Sequence, residues 1–147
     1  MAQTRQEDLG GGIIALVNDE YAFGTDALLL AAFAAAKKKD TVCDFGTGCG
    51  ILPLLWCREQ TPVSVTAVDI QPDACALVNS AIALNNLETR LRVVCADIRD
   101  KKAIKSLGRF DLVTMNPPYY AVGSGFISEN EAARTARHET ACSFEDA

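Results

Sequence analysis

Asn116-Pro117-Pro118-Tyr119 places an amide oxygen, two proline carbonyls and an aromatic ring in succession. Proline keeps its carbonyl but has no N–H, so such a turn presents acceptors without competing donors. With the Asn oxygen and the Tyr ring, it suits a planar group carrying an NH2. Pro-Pro alone could equally do no more than end a strand. The second chemical stretch is Asp44-Phe45-Gly46-Thr47-Gly48-Cys49-Gly50. Glycines at alternate positions let backbone approach a ligand closely and adopt dihedrals that other residues avoid. A helix opening just after them offers free N–H groups to an anion. The spacing is G-x-G-x-G, not the G-x-G-x-x-G of dinucleotide sites. Asp69 stands about 20 residues on, where a carboxylate can accept both hydroxyls of a ribose. Asp97 is a third acid, placed to meet an adenine edge.

The elements around these residues give them a common address. Thr41–Phe45 reads as a strand, the glycine loop follows, and 51–59 reads as a helix with Pro53 tolerated in its first turn. The alternation continues with a strand over 63–69, a helix over 73–85, a strand over 91–96, a short helix over 101–107 and a strand over 110–115. Strands that are nearly continuous in apolar residues and alternate with helices predict a parallel sheet covered on both faces. Open sheets of this kind bind ligands outside the carboxyl ends of their strands. The three acids and the glycine loop all fall at such ends. Each acid alone could be a solvated strand end, but their convergence on one edge predicts a site.

Ahead of this core, Leu9–Gly12 reads as a flexible lead-in and 13–17 as a short strand. A helix is expected over Ala27–Ala36, capped by Thr25 or Asp26, with Lys37, Lys38 and Lys39 favourably placed at its end. Beyond Tyr120 the pattern loses its apolar stripe. Residues 121–125 read as loop, 128–139 as a polar segment, and 143–147 as the opening of a helix. The expected divisions are therefore 1–40, an N-terminal lead-in and helix; 41–120, the α/β core; and 121–147, a loop and incomplete C-terminal segment.

At 147 residues, 49% hydrophobic and 22% charged, the chain has the composition of one globular domain. No apolar run reaches the ~18 residues of a bilayer span, and the polar first residues are unlike a signal peptide. A cytoplasmic protein without membrane contact is expected. Six cysteines include no C-x-x-C pair, so buried, reduced thiols are expected rather than a metal or disulfide framework. A formal charge of −5 excludes nucleic-acid binding through bulk charge; any RNA contact needs a local basic patch. Arg134, Arg137 and the single histidine, His138, form the one basic cluster near the proposed site. Lys101, Lys102, Lys105 and Arg109 read as a solvated helix face.

Taken together, the Asp44–Gly50 motif, Asp69, Asp97 and Asn116-Pro117-Pro118-Tyr119 resemble the ordered motifs of S-adenosylmethionine-dependent methyltransferases of the doubly wound, Rossmann-like class. The Asn-Pro-Pro-Tyr turn is typical of members that methylate planar nitrogens. Residues 21–30 and 136–139 are similar to bacterial tRNA adenine-N6 methyltransferases acting on valine tRNA. The resemblance implies that Asp44, Gly46, Gly48 and Gly50 hold the methionine end of the cofactor. Asp69 would hold its ribose, and Asp97 its adenine amine. Asn116 would touch the cofactor and, with the Pro117 carbonyl, accept the hydrogens of the target NH2. Those two bonds aim the nitrogen lone pair at the methyl group, an alignment worth several kcal/mol. Pro118 and Tyr119 would contact substrate, Tyr119 by stacking on a flipped-out base for about 1–3 kcal/mol. Arg137 and His138 would contact RNA. In-line methyl transfer without a general base is expected, because the cationic sulfonium already makes the methyl electrophilic.

The resemblance also implies a seven-stranded sheet, whereas only four core strands precede residue 120. The chain is therefore expected to be truncated after the fourth strand, with 110–115 as an exposed edge that invites self-association. Two alternatives to a tRNA substrate stand beside it. One is a protein glutamine (release factor) methyltransferase, which fits the acidic charge; the other is an inactive cofactor-binding fragment.

Overall fold

The computed structural model describes residues 3–62 and 64–117. Pro118, Tyr119, Arg134, Arg137, His138 and the expected segments over 121–147 lie outside the described residues. The order of elements is β1 (Arg5–Asp8), β2 (Ile14–Val17), α1 (Thr25–Ala34), β3 (Thr41–Phe45), α2 (Ile51–Arg58), β4 (Ser64–Asp69), α3 (Pro72–Leu84), β5 (Leu91–Cys95), α4 (Lys101–Ser106) and β6 (Leu112–Met115).

The expected parallel sheet is present: β3 to β6 run parallel in the spatial order β5-β4-β3-β6. The order reverses at β3, so the crevice between β3 and β6 is the switch point at which open α/β sheets take ligands. The two faces differ. Val42, Val65, Ala67 and Leu91 belong to one buried cluster with Leu54, Leu55 and Trp56 of α2 and Leu77, Val78 and Ile82 of α3. Helix α2 is buried along seven of its eight residues, which is why its sequence reads apolar all round. Cys43, Thr66 and Arg92 share the other face, where Arg92 Nε donates to Thr66 Oγ1 over 3.0 Å. Val113 pairs beside Cys43 on that face and is 48% exposed. Among the described residues the α2/α3 face is covered, and on the other face Cys43, Thr66 and Val68 are buried while Val113 is exposed.

Further expectations are corrected. Leu9–Gly12 is not a flexible lead-in but the turn of a hairpin: β1 pairs antiparallel with β2, and Gly10, Gly11 and Gly12 turn it with positive φ. Every residue of β1 is exposed, so it carries no apolar alternation to read; its pairing is made by backbone. Helix α1 begins after Gly24, which caps it without a side-chain bond, and Thr25 and Asp26 lie inside the helix. It ends at Ala34, where Ala35 turns left-handed, so Lys37–Lys39 fall beyond its last turn. Cys95 is exposed at the end of the edge strand β5, while Cys43, Cys49, Cys57 and Cys75 are buried. Strand β6 begins two residues later than expected, since Asp111 instead ties down the start of β3, accepting from Thr41 N and Oγ1. Among the described residues no helix is long and apolar enough to cross a membrane, and no His, Cys, Asp and Glu group is placed to hold a metal ion.

Candidate active site

The sheet register assembles the site. Asp44 pairs with Thr114 and Phe45 with Met115, so the next residues, Gly46 and Asn116, leave the sheet side by side at its carboxyl edge. On the other flank Phe45 pairs with Val68, which brings Asp69 alongside the same loop. Asp97 follows the end of β5 by two residues.

Asp44 is 2% exposed, and its Oδ1 accepts from Thr114 Oγ1 over 2.7 Å. Burial pushes its carboxyl up to about 6, opposed by the hydroxyl of Thr114 and reinforced by the nearby charge of Asp69. Thr47 Oγ1 is itself buried and has no hydrogen-bond partner among the described residues. Asp69 is 5% exposed; its Oδ2 accepts from Gly48 N over 2.8 Å and its Oδ1 from Gln71 N over 3.0 Å. Burial raises its pKa while these backbone donors lower it. Thus one carboxylate shapes the glycine loop and the turn into α3.

The glycines divide into two roles. Gly46 and Gly48 have φ of 66° and 56°, and no described residue lies within 4 Å of where a Cβ would stand on either. They border an open cradle. At Gly50 a Cβ would meet Val78 Cγ2 at 3.0 Å, so this glycine lets α2 pack against α3.

Asp97 is ion-paired with Arg99, whose Nη2 lies 2.6 Å from Oδ2, and this cation holds its carboxyl below the ordinary value. An adenine amine there would share the carboxylate with Arg99. Asn116 Nδ2 donates to Asp26 Oδ2 over 2.6 Å, joining the turn after β6 to the first turn of α1. Tyr21 is buried between the hairpin and the site, with its hydroxyl donating to Gln71 Oε1 over 3.1 Å. Burial, with Asp69 and Asp73 nearby, pushes that phenol to about 12. Thr114 was not singled out in the sequence, and Tyr21 and Asp26, though inside the 21–30 stretch that carries the resemblance, were given no role at the site. Their signals, a β-branched residue in a strand and an acid at a helix start, are shared by many residues without a site.

A doubly wound sheet with this loop at its switch point defines a domain of the S-adenosylmethionine-dependent methyltransferase class. The chain belongs to the methyltransferase small domain family, whose description matches residues 17–137. It is 31% identical over 121 residues to the tRNA1(Val) (adenine(37)-N6)-methyltransferase of Shewanella halifaxensis (strain HAW-EB4), covering 82% of this chain and 48% of that protein. It is 35% identical over 101 residues to the protein of the same name from Citrobacter koseri (strain ATCC BAA-895 / CDC 4225-83 / SGSC4696), covering 68% and 41%. The chain thus spans about half the length of the curated relatives it matches. Among solved structures it resembles the M. jannaschii tRNA m1G37 methyltransferase, with a TM-score of 0.58 at 22% identity, covering 80% of this chain and 36% of that one. M. capricolum TrmK, solved with S-adenosyl-homocysteine, matches with a TM-score of 0.55 at 15% identity, covering 63% and 40%. Both likenesses show the fold. The residues present fit S-adenosylmethionine: an open cradle at Gly46 and Gly48, an unpartnered buried hydroxyl on Thr47, and two buried carboxylates able to receive donors.

Proposed function

We propose that this chain transfers a methyl group from S-adenosylmethionine to the exocyclic amine of an adenine in tRNA. The observation that carries the reading is the register of β3 with β6, which seats Asn116 beside the glycine loop. The names of the curated relatives support adenine in tRNA as the target.

S-adenosylmethionine supplies an electrophilic methyl on a cationic sulfur. The chain's residues do the rest. Gly46, Gly48, Asp44 and Thr47 bind the amino-acid end, Asp69 the ribose, and Asp97 the adenine edge. Asn116 Oδ1 and the Pro117 carbonyl accept the two hydrogens of the target amine, turning its lone pair out of conjugation with the ring. The amine's excess proton leaves to water. Pro118 and Tyr119 contact the base, and Arg137 and His138 the RNA backbone. In this division residues 41–120 bind the cofactor, 1–40 close the target side, and 121–147 engage substrate. A tRNA substrate places the protein in the cytoplasm.

The formal charge of −5 favours a second reading, methylation of a glutamine amide in a release factor, since a protein substrate needs no basic surface. Labelled-methyl transfer to total tRNA, to release factor and to buffer alone separates the two. Label in tRNA is expected, and Asn116→Ala should reduce it at least about a hundredfold, the loss of a charge-positioning contact at the reacting atom. Full turnover by Asn116→Ala with the cofactor still bound removes Asn116 from the chemistry.

A further inference from the structure

An Asn amide has two ends of nearly equal size and opposite hydrogen-bonding character. Accepting a hydrogen from a target amine requires the oxygen to face that amine; a flipped amide presents N–H to N–H instead. Something in the protein must therefore choose the orientation. The carboxylate of Asp26 accepts from Asn116 Nδ2 over 2.6 Å, across 90 residues of sequence. A carboxylate only accepts, so it selects the nitrogen end and turns Oδ1 elsewhere. Its own position is shaped by Gly24: a Cβ there would stand 2.6 Å from Asp26 Oδ1. The backbone at Gly24 is extended, with φ of −116°, so the glycine is not needed for its conformation. It leaves the room that the carboxylate occupies.

We propose that Asp26 is a positioning residue that fixes the amide of Asn116 with its oxygen toward the target amine, and that Gly24 keeps the space for it. The inference rests on the reading of Asn116 given under the proposed function.

The test is a set of paired variants assayed for labelled-methyl transfer to total tRNA, with folding checked by circular dichroism. Asp26→Ala is expected to lower kcat about tenfold, the worth of a charge-assisted hydrogen bond, with KM for tRNA changed less than about twofold. In an Asn116→Ala background it should cost nothing further. Gly24→Ala should show a smaller loss of the same kind. Asn116→Asp alone sets two carboxylates against each other and loses activity. Combined with Asp26→Asn it restores one donor and one acceptor, so the double variant should outperform Asn116→Asp. If Asp26→Ala unfolds the chain, the isosteric Asp26→Asn and this exchange still decide. Full kcat in Asp26→Ala with activity lost in Asn116→Ala overturns the inference and leaves Asn116 its role. Full turnover in Asn116→Ala overturns both. If the unaltered chain transfers no label, the side-chain 15N resonance of Asn116, assigned by its loss in Asn116→Ala, decides: unmoved by Asp26→Ala, it overturns the contact; moved, it supports it.

Discussion

At Asp44 burial and hydrogen bonding act in opposite directions, and burial wins: the carboxyl rises to about 6 from an ordinary value of 3.8. A carboxyl whose folded pKa lies above its unfolded one binds protons more tightly when folded. The stability it contributes is full below the ordinary value and is lost as pH rises through about 6. A rise of this size corresponds to on the order of 2–3 kcal/mol. Urea unfolding between pH 4 and 7 should show the loss in the unaltered chain and a flatter profile in Asp44→Asn. Thr114→Val removes the donor that favours the ionised form and should carry the loss to higher pH, while Thr114→Ser should not. An Asp44→Asn chain as steep as the unaltered one excludes Asp44 as the source. The acid itself was legible in the sequence, because a carboxylate inside an apolar strand next to alternating glycines is rare without a purpose. Its partner was not: Thr114 in a strand already satisfies β-propensity, so its hydroxyl gives no separate signal. Gly50 was legible as a glycine but not in its role, since packing against Val78 is a fact of tertiary structure.

Among the elements, the N-terminal hairpin is held to the core by a side chain that imitates backbone. Asn85, just past α3, accepts from Ile14 N over 2.8 Å and donates to Ile14 O and Ala81 O over 2.7 Å each. The amide thus completes the outer edge of β2 as a neighbouring strand would. Asn85→Ala leaves a half-buried N–H and C=O on Ile14 unpaired and should cost about 1–3 kcal/mol in urea unfolding. Asn85→Asp should be no milder, because it turns a carboxylate toward two carbonyls. A loss under about 0.5 kcal/mol, the scatter of ordinary surface changes, assigns the hairpin's anchorage elsewhere. The βαβ alternation that builds the sheet was readable because buried parallel strands have no polar alternation to hide them. Strand β1 was not readable, since all four of its residues are exposed and only its pairing with β2 makes it a strand. The end of α1 was misplaced for a related reason: the alanines from Ala34 to Ala36 favour helix equally, and the stop comes from the left-handed turn at Ala35.

At the scale of the whole molecule, the proposed function requires an acidic chain to hold RNA through few cations, and the sheet decides which can take part. Lys37, Lys38 and Lys39 precede β3, and Arg109 precedes β6, so all four lie toward the amino edge, opposite the site. Lys101 and Lys102 open α4 beyond the carboxyl end of β5, on the site's side, and Arg99 is paired with Asp97. With Arg134 and Arg137, which the proposed function assigns to the RNA, only a handful of phosphates can be neutralised. Each neutralised phosphate contributes about −0.7 to −0.9 to the slope of log affinity against log salt, so a slope of about −2 to −3 is expected. Changing Arg134 and Arg137 to Ala should flatten it by about 1–2, whereas changing Lys37–Lys39 to Ala should leave it unaltered. Fluorescence anisotropy with labelled tRNA between 50 mM and 200 mM salt, the range over which multivalent binders lose affinity steeply, measures both. A slope near −6, or one that the lysine substitutions flatten, means that RNA wraps past the amino edge of the sheet. The substrate would then be held by the body of the domain, and the carboxyl edge would supply only the chemistry.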